Sequence, residues 1–135
     1  MIGIVICCHG MMGDGMRNAA ELIVGPQKNL EVVAVKPGDG GNDILEALKK
    51  AITKVDTGKG VLLLTDLFGG TPTNISCALL DEANIEVVTG FNLPLLIKAI
   101  TGREDTEDLG ELARTATEYG QRHMSIAGDL LGNKR

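Results

Sequence analysis

Ile2-Gly3-Ile4-Val5-Ile6-Cys7 is apolar throughout and rich in β-branched side chains. A run with no polar alternation predicts a strand over residues 2–7 that is buried on both faces. Such a strand needs helices above and below it, and the rest of the chain offers them in alternation with further strands. A Gly-rich stretch over residues 10–15 reads as a loop. Met16, Ala19, Ala20, Ile23 and Val24 then recur at helical spacing, and Gly25-Pro26 ends that helix. Leu30–Val35 is a second strand, followed by the loop Pro37-Gly38-Asp39-Gly40-Gly41. Ile44, Leu45, Leu48, Ala51, Ile52 and Val55 mark a second helix, with Asn42 or Asp43 as its cap.

The pattern continues. Val61–Thr65 is a third buried strand. Thr71-Pro72 reads as a cap followed by Pro in the first turn of a helix that runs to about Glu82. Ile85–Thr89 is a fourth strand, and Asn92-Leu93-Pro94 opens a helix that ends near Gly102. Residues 103–108 form a loop or cap region, and a last helix is expected from about Thr106 to Gln121. The tail, residues 123–135, is ambiguous, with 123–127 a candidate short strand. Strand–helix alternation repeated in this way predicts an α/β domain spanning residues 1–135. Its sheet is parallel with right-handed crossovers, and the fold expected is open, doubly wound and mainly parallel, of order 2-1-3-4 with helices on both faces, in which strands one and three are neighbours.

Composition narrows the function. The 135 residues suit one domain with a core that needs no metal or disulfide. Eighteen acidic against thirteen basic residues give a net charge of −5. Aromatics are 2%, namely Phe68, Phe91 and Tyr119. Neither a basic patch nor stacking platforms are in view, so nucleic acid is not an expected partner. Cys7, Cys8 and Cys77 make no disulfide framework and read as reduced thiols of a cytoplasmic protein. The opening residues lack the length and the basic start of a signal peptide, and no apolar run has the length of a membrane span.

In an open α/β sheet, ligands sit at the carboxyl ends of strands where the strand order reverses. The loops after strands one and three are therefore the ones to inspect. They read Cys8-His9-Gly10 and Asp66-Leu67-Phe68-Gly69-Gly70-Thr71-Pro72-Thr73-Asn74. With strands one and three adjacent, His9 and Asp66 face each other across a crevice. A carboxylate bonded to one imidazole nitrogen fixes the tautomer, leaves the other nitrogen as a nucleophile, and stabilises charge that develops on the ring. A lone histidine beside an apolar strand is more often a satisfied core residue. Here Gly10 follows it and allows close backbone approach. Gly69 and Gly70, ahead of a helix N-terminus, suit an anion such as phosphate. Thr71 is pulled two ways, towards capping the amide of Asn74 or bonding a phosphoryl oxygen. His123 has no such context and reads as surface or packing.

Other chemistries fit poorly. There is no G-x-x-x-x-G-K-[ST], and Gly10, Gly13 and Gly15 miss the dinucleotide spacing. Cys7-Cys8-His9 cannot spread around a tetrahedral zinc, and no metal is expected. Cys8 as a nucleophile paired with His9 is disfavoured because adjacent residues on an extended chain point to opposite sides. Met11-Met12 reads as apolar cover over the crevice.

Taken together, strand-Cys8-His9-Gly10, Lys36-Pro37-Gly38-Asp39, the Asp66 to Asn74 loop and Gly90-Phe91-Asn92-Leu93-Pro94 resemble a known family. It is the enzyme IIA domain of the mannose-type branch (mannose, fructose, sorbose) of the bacterial sugar phosphotransferase system. The resemblance covers nearly the whole chain. It implies a cytoplasmic phosphocarrier without cofactors: His9 accepts a phosphoryl group from the carrier HPr and passes it to a IIB component. Asp66 orients the ring, Thr71 supplies a hydroxyl, and Gly10, Gly69 and Gly70 line the phosphoryl site. It also implies a homodimer that exchanges an antiparallel C-terminal strand, and contact with a membrane only through transporter subunits. Any IIB is expected to be a separate protein.

Two positions depart from the family. Cys8 stands where Ser or Thr is frequent. Gly13 replaces a common Ala and is expected to loosen its loop. Rival readings are a regulatory protein whose phosphorylation switches partners, a module serving a dihydroxyacetone kinase, and a thiol enzyme using Cys8. Neighbouring transporter or kinase genes separate the first two from sugar uptake, and alkylation tests the third.

Overall fold

The computed structural model describes residues 1–67, 69–82 and 84–132, so Phe68 of the third loop and residues 133–135 of the tail lie outside it. The elements follow in the order β1 (Gly3–His9), α1 (Met12–Val24), β2 (Leu30–Val35), α2 (Gly41–Val55), β3 (Val61–Thr65), α3 (Thr71–Cys77), β4 (Ile85–Thr89), α4 (Leu93–Gly102), α5 (Leu109–Arg122) and α6 (Ala127–Leu131). Among the described residues the strands form one parallel sheet of order β2-β1-β3-β4. The reversal of direction falls between β1 and β3, which is the condition for His9 and Asp66 to face each other.

Period two in the strands separates two cores. Ile4, Ile6 and Cys8 of β1 join Leu62 and Leu64 of β3 against Ala20 of α1, Leu96 and Ala99 of α4, and Leu112 and Ala116 of α5. Val5 and Cys7 join Val61 and Leu63 against Ile44, Leu48, Ile52 and Val55 of α2 and Leu79 beyond α3. Both faces of β1 and β3 are therefore dry, which is why their sequences are apolar without alternation.

Several boundaries differ from the sequence reading, each for a tertiary reason. Strand β1 continues past Cys7 because Cys8 and His9 still pair with Ala34 and Val35 of β2. Helix α1 starts at Met12, inside the stretch expected to be loop. Gly13 is buried there, and a Cβ on it would stand 2.8 Å from Val32 Cγ1 and 3.2 Å from Ile6 Cγ2. The glycine thus lets α1 press onto the sheet instead of loosening a loop. Helix α2 is capped by Gly40, not by the side chain of Asn42 or Asp43. Helix α3 ends at Cys77 and gives way to turns in which Leu80 N–H bonds Cys77 O and Glu82 N–H bonds Leu79 O.

The strand expected over residues 123–127 is absent from the sheet. Residues 124–126 are irregular and Ala127–Leu131 coils into a short helix. A strand without a ladder partner has no stability of its own, so the segment folds locally. Met124, Ile126, Leu130 and Leu131 are 63–78% exposed as a result.

The amino ends of the strands, opposite the crevice, are tied by a residue the sequence did not single out. Arg103, 3% exposed at the C-cap of α4, donates from Nη1 to Ile2 O and Asn29 O and from Nη2 to Lys28 O and Gln27 Oε1. Burial lowers its affinity for the proton, but a guanidinium stays charged throughout the physiological range. Arg103→Ala strands these carbonyls and leaves a void. It is expected to destabilise the fold by about 2–4 kcal/mol, read as a lower urea midpoint at unchanged m-value.

Candidate functional site

The carboxyl ends of β1 and β3 carry the chemistry. His9 closes β1, and Asp66 follows β3 directly. Their separation of 57 residues in the chain is bridged because β1 and β3 are hydrogen-bonded neighbours. His9 Nδ1 lies 2.7 Å from Asp66 Oδ2, and the His9 backbone N–H donates to the same oxygen at 2.9 Å. Asp66 Oδ1 accepts from Leu67 N–H at 3.0 Å. The carboxyl group is sunk into the fold with 7% of its side chain exposed, whereas the imidazole is 49% exposed.

This arrangement assigns the protons. Burial alone would push the Asp66 carboxyl up, but the N–H groups of His9 and Leu67 and the charge on the ring outweigh it. They hold the group below the usual carboxylate range. An ionised carboxylate only accepts, so Nδ1 carries the proton in the neutral ring and the lone pair is left on Nε2. The result is an oriented nitrogen nucleophile with an anion behind it.

The loop after β3 shapes the ring's other side. A Cβ on Gly70 would meet His9 Cε1 at 3.1 Å and Leu67 Cδ1 at 3.3 Å, so a side chain there would displace the imidazole. Gly69 takes φ +85°, and Gly70 is the N-cap of α3. Thr71 is therefore the first helical residue and not the cap. It is exposed, and among the described residues its hydroxyl has no partner. The Gly10 N–H donates to Val35 O at 2.9 Å and so extends the ladder. What Gly10 contributes is a turn at φ +56° with no side chain beside His9.

Two residues here escaped the sequence reading. Thr65, at the end of β3, and Thr73, in the first turn of α3, are buried with their hydroxyl oxygens 2.6 Å apart, and Thr73 also donates to Leu67 O. The only signal was a pair of threonines flanking the Gly-Gly turn. Met11 and Met12 are exposed beside His9, in keeping with an apolar rim. His123 lies at the end of α5, stacked on Tyr119 and bonded to its carbonyl, and has no acidic partner among the described residues.

Burial removes the thiol-enzyme alternative. Cys7 and Cys8 are fully buried on opposite faces of β1. Burial first, and the negative charge of Asp66 second, push both thiols up to about 12. Neither forms a thiolate near neutrality, so Cys8 is no nucleophile. In native protein, iodoacetamide is expected to label Cys77, which is partly exposed, and to leave Cys7 and Cys8 unmodified until the chain unfolds. Peptide mass mapping with and without urea reads this.

Comparison with known proteins gives concordant findings. The family model EIIA-man, "PTS system fructose IIA component", matches residues 3–117. The mannose-specific EIIAB component of Escherichia coli is 34% identical over 121 residues, which is 89% of this chain and 38% of that protein. The chain thus spans well under half the length of that relative. The fructose-specific EIIA component of Bacillus subtilis is 30% identical over 132 residues, 97% of this chain and 90% of that protein. A crystal structure of phosphotransferase system component EIIA from Streptococcus agalactiae superposes with a TM-score of 0.88 at 31% identity, covering 96% of this chain and 99% of that one.

Proposed function

Because the chain belongs to the EIIA-man family of phosphotransferase-system IIA components, we propose that it is a phosphocarrier with His9 as the residue that carries the phosphoryl group. The observation that carries this reading is the Asp66–His9 contact, 2.7 Å from carboxylate to Nδ1, on a half-exposed imidazole. In the transfer, the Nε2 lone pair attacks phosphorus in the donor's phosphohistidine. The donor's P–N bond breaks as the new one forms, and the donor imidazole leaves with the electron pair. The ring of His9 gains positive charge as it loses its lone pair, and buried Asp66 balances that charge without moving. The exposed Thr71 hydroxyl and the backbone around Gly69 and Gly70 are placed to meet the phosphoryl oxygens. Gly10 keeps the approach open. Exchange between two imidazoles is near balanced in energy, so positioning supplies most of the acceleration.

The donor in this reading is HPr and the acceptor a IIB component, in a relay that serves sugar uptake. Work in the cytoplasm accords with the finding that no described helix is long and apolar enough to cross a membrane. We extend the proposal to a homodimer. Met124, Ile126, Leu130 and Leu131 expose apolar surface in a single chain, and β4 ends the sheet with an unpaired edge that an exchanged segment would fill. The deciding experiment incubates the protein with phosphoenolpyruvate, enzyme I and HPr, then locates the label by mass spectrometry. Phosphate on His9 that moves on to a IIB protein supports the reading. Phosphate elsewhere, or none, rejects it.

A further inference from the structure

The carboxylate that aims His9 stands on a loop, and a loop needs an anchor. Asp66 and Leu67 follow β3 directly and lie outside any helix or strand. Two buried hydroxyls connect that turn to its neighbours. Thr73 donates its single hydroxyl proton to Leu67 O, so the 2.6 Å contact with Thr65 must be donated by Thr65. Leu67 in turn donates its N–H to Asp66 Oδ1, and Asp66 Oδ2 holds both N–H groups of His9. Hydroxyl, hydroxyl, peptide, carboxylate and imidazole therefore form one continuous chain of hydrogen bonds. Its far end lies in rigid structure. Thr65 is in β3 and is 0% exposed, and Thr73 is in α3 and is 1% exposed.

We propose that Thr73, backed by Thr65, is a positioning residue for His9: it clamps the Leu67 peptide and thereby fixes the carboxylate that sets the imidazole's tautomer and direction. Both polar backbone groups of Leu67 are engaged, its carbonyl by Thr73 and its N–H by Asp66 Oδ1. With the backbone of Leu67 held in this way, its N–H stays on Asp66 Oδ1 and Oδ2 is left for the ring. Without the clamp the peptide can rotate, Oδ1 loses its donor, and the carboxylate turns away from Nδ1. Thr71, two residues earlier and exposed, plays no part in this chain of bonds. Thr65 matters less than Thr73, because Thr73 keeps its bond to Leu67 O when Thr65 is lost.

The test rests on the phosphocarrier reading for its rate measurement and is independent of it for its spectrum. Thr73→Val keeps the volume and removes the hydroxyl. Nitrogen-15 spectra of the His9 imidazole in unphosphorylated protein are expected to shift from the Nδ1–H tautomer towards a mixture. The rate of transfer from phospho-HPr is expected to fall roughly ten-fold. Thr73→Ser restores both, and Thr65→Val changes both less than Thr73→Val does. An unchanged spectrum in Thr73→Val overturns the proposal, as does failure of Thr73→Ser to restore it. If Thr73→Val unfolds, the pair Thr65→Val with Thr73→Val removes both hydroxyls together and is read in the same way. Wild-type protein that takes up no phosphate on His9 sinks the phosphocarrier reading alone, since the tautomer readout still stands.

Discussion

His9→Gln is expected to take up no phosphoryl group from phospho-HPr, a loss below the detection limit and not a slowed rate. Glutamine reaches about as far as histidine, and its amide donates to a carboxylate. The variant can thus keep Asp66 partnered, and the loop and sheet remain in place. What disappears is the lone pair on Nε2, and an amide nitrogen, whose lone pair is delocalised into the carbonyl, does not replace it. A far-ultraviolet spectrum and an unfolding midpoint near wild type, together with no acid-labile phosphate, meet this expectation. Label retained on His9→Gln would move the carrier residue elsewhere. The structure offers poor alternatives, since Cys8 is fully buried and His123 has no acidic partner among the described residues.

Asp66→Asn has the next largest effect, a fall in transfer rate of about 10²- to 10³-fold. The neutral amide is the same size and still offers an oxygen to the His9 backbone N–H. It removes the anion 2.7 Å from Nδ1 just as the ring becomes positive, and it can present N–H₂ to the ring and invert the tautomer. Loss of the charge-assisted bond, of the anion's stabilisation of the charged ring and of the correct tautomer together correspond to a barrier increase of about 3–4 kcal/mol. The same residue shapes acid stability. Its carboxyl lies below the ordinary range in the folded chain, so it binds protons less readily folded than unfolded. The stability this supplies is fully present above the unfolded value near 4 and drains away as pH falls through the folded value. Asp66→Asn is expected to show a shallower loss of stability in acid than wild type, measured by urea midpoints from pH 6 downward. Equal rates in the two proteins would take Asp66 out of the mechanism.

The pairing at the centre of both predictions was legible before any coordinates. Strands β2, β3 and β4 carry the bounds that apolar runs and turn residues suggest, Leu30–Val35, Val61–Thr65 and Ile85–Thr89. Once their order places β1 beside β3, the residues that end those strands must meet, and His9 and Asp66 are the titratable groups there. Asn92 was equally readable, since a side chain ahead of Leu-Pro that accepts from Leu95 N–H is a local device. The far boundary of α3 was not readable. Residues 78–82 keep a helix-like composition but fold as turns, because Leu79 is drawn into the core under α2.

Thus the amino-acid sequence alone determined the alternation of elements, the parallel sheet and the two residues that meet if the first and third strands are neighbours. The alternation follows from periodicity, and the neighbouring of β1 and β3 is a fact of the tertiary structure. The tertiary structure decided what depends on distances between segments far apart in the chain. It put Gly13 inside a helix because α1 lies too close to Val32 for a methyl group. It spent the amide of Gly10 on Val35, buried Arg103 among four acceptors, and joined Thr65 to Thr73 beneath Asp66. It also left residues 123–127 without a strand, since a ladder needs a partner that local sequence cannot provide.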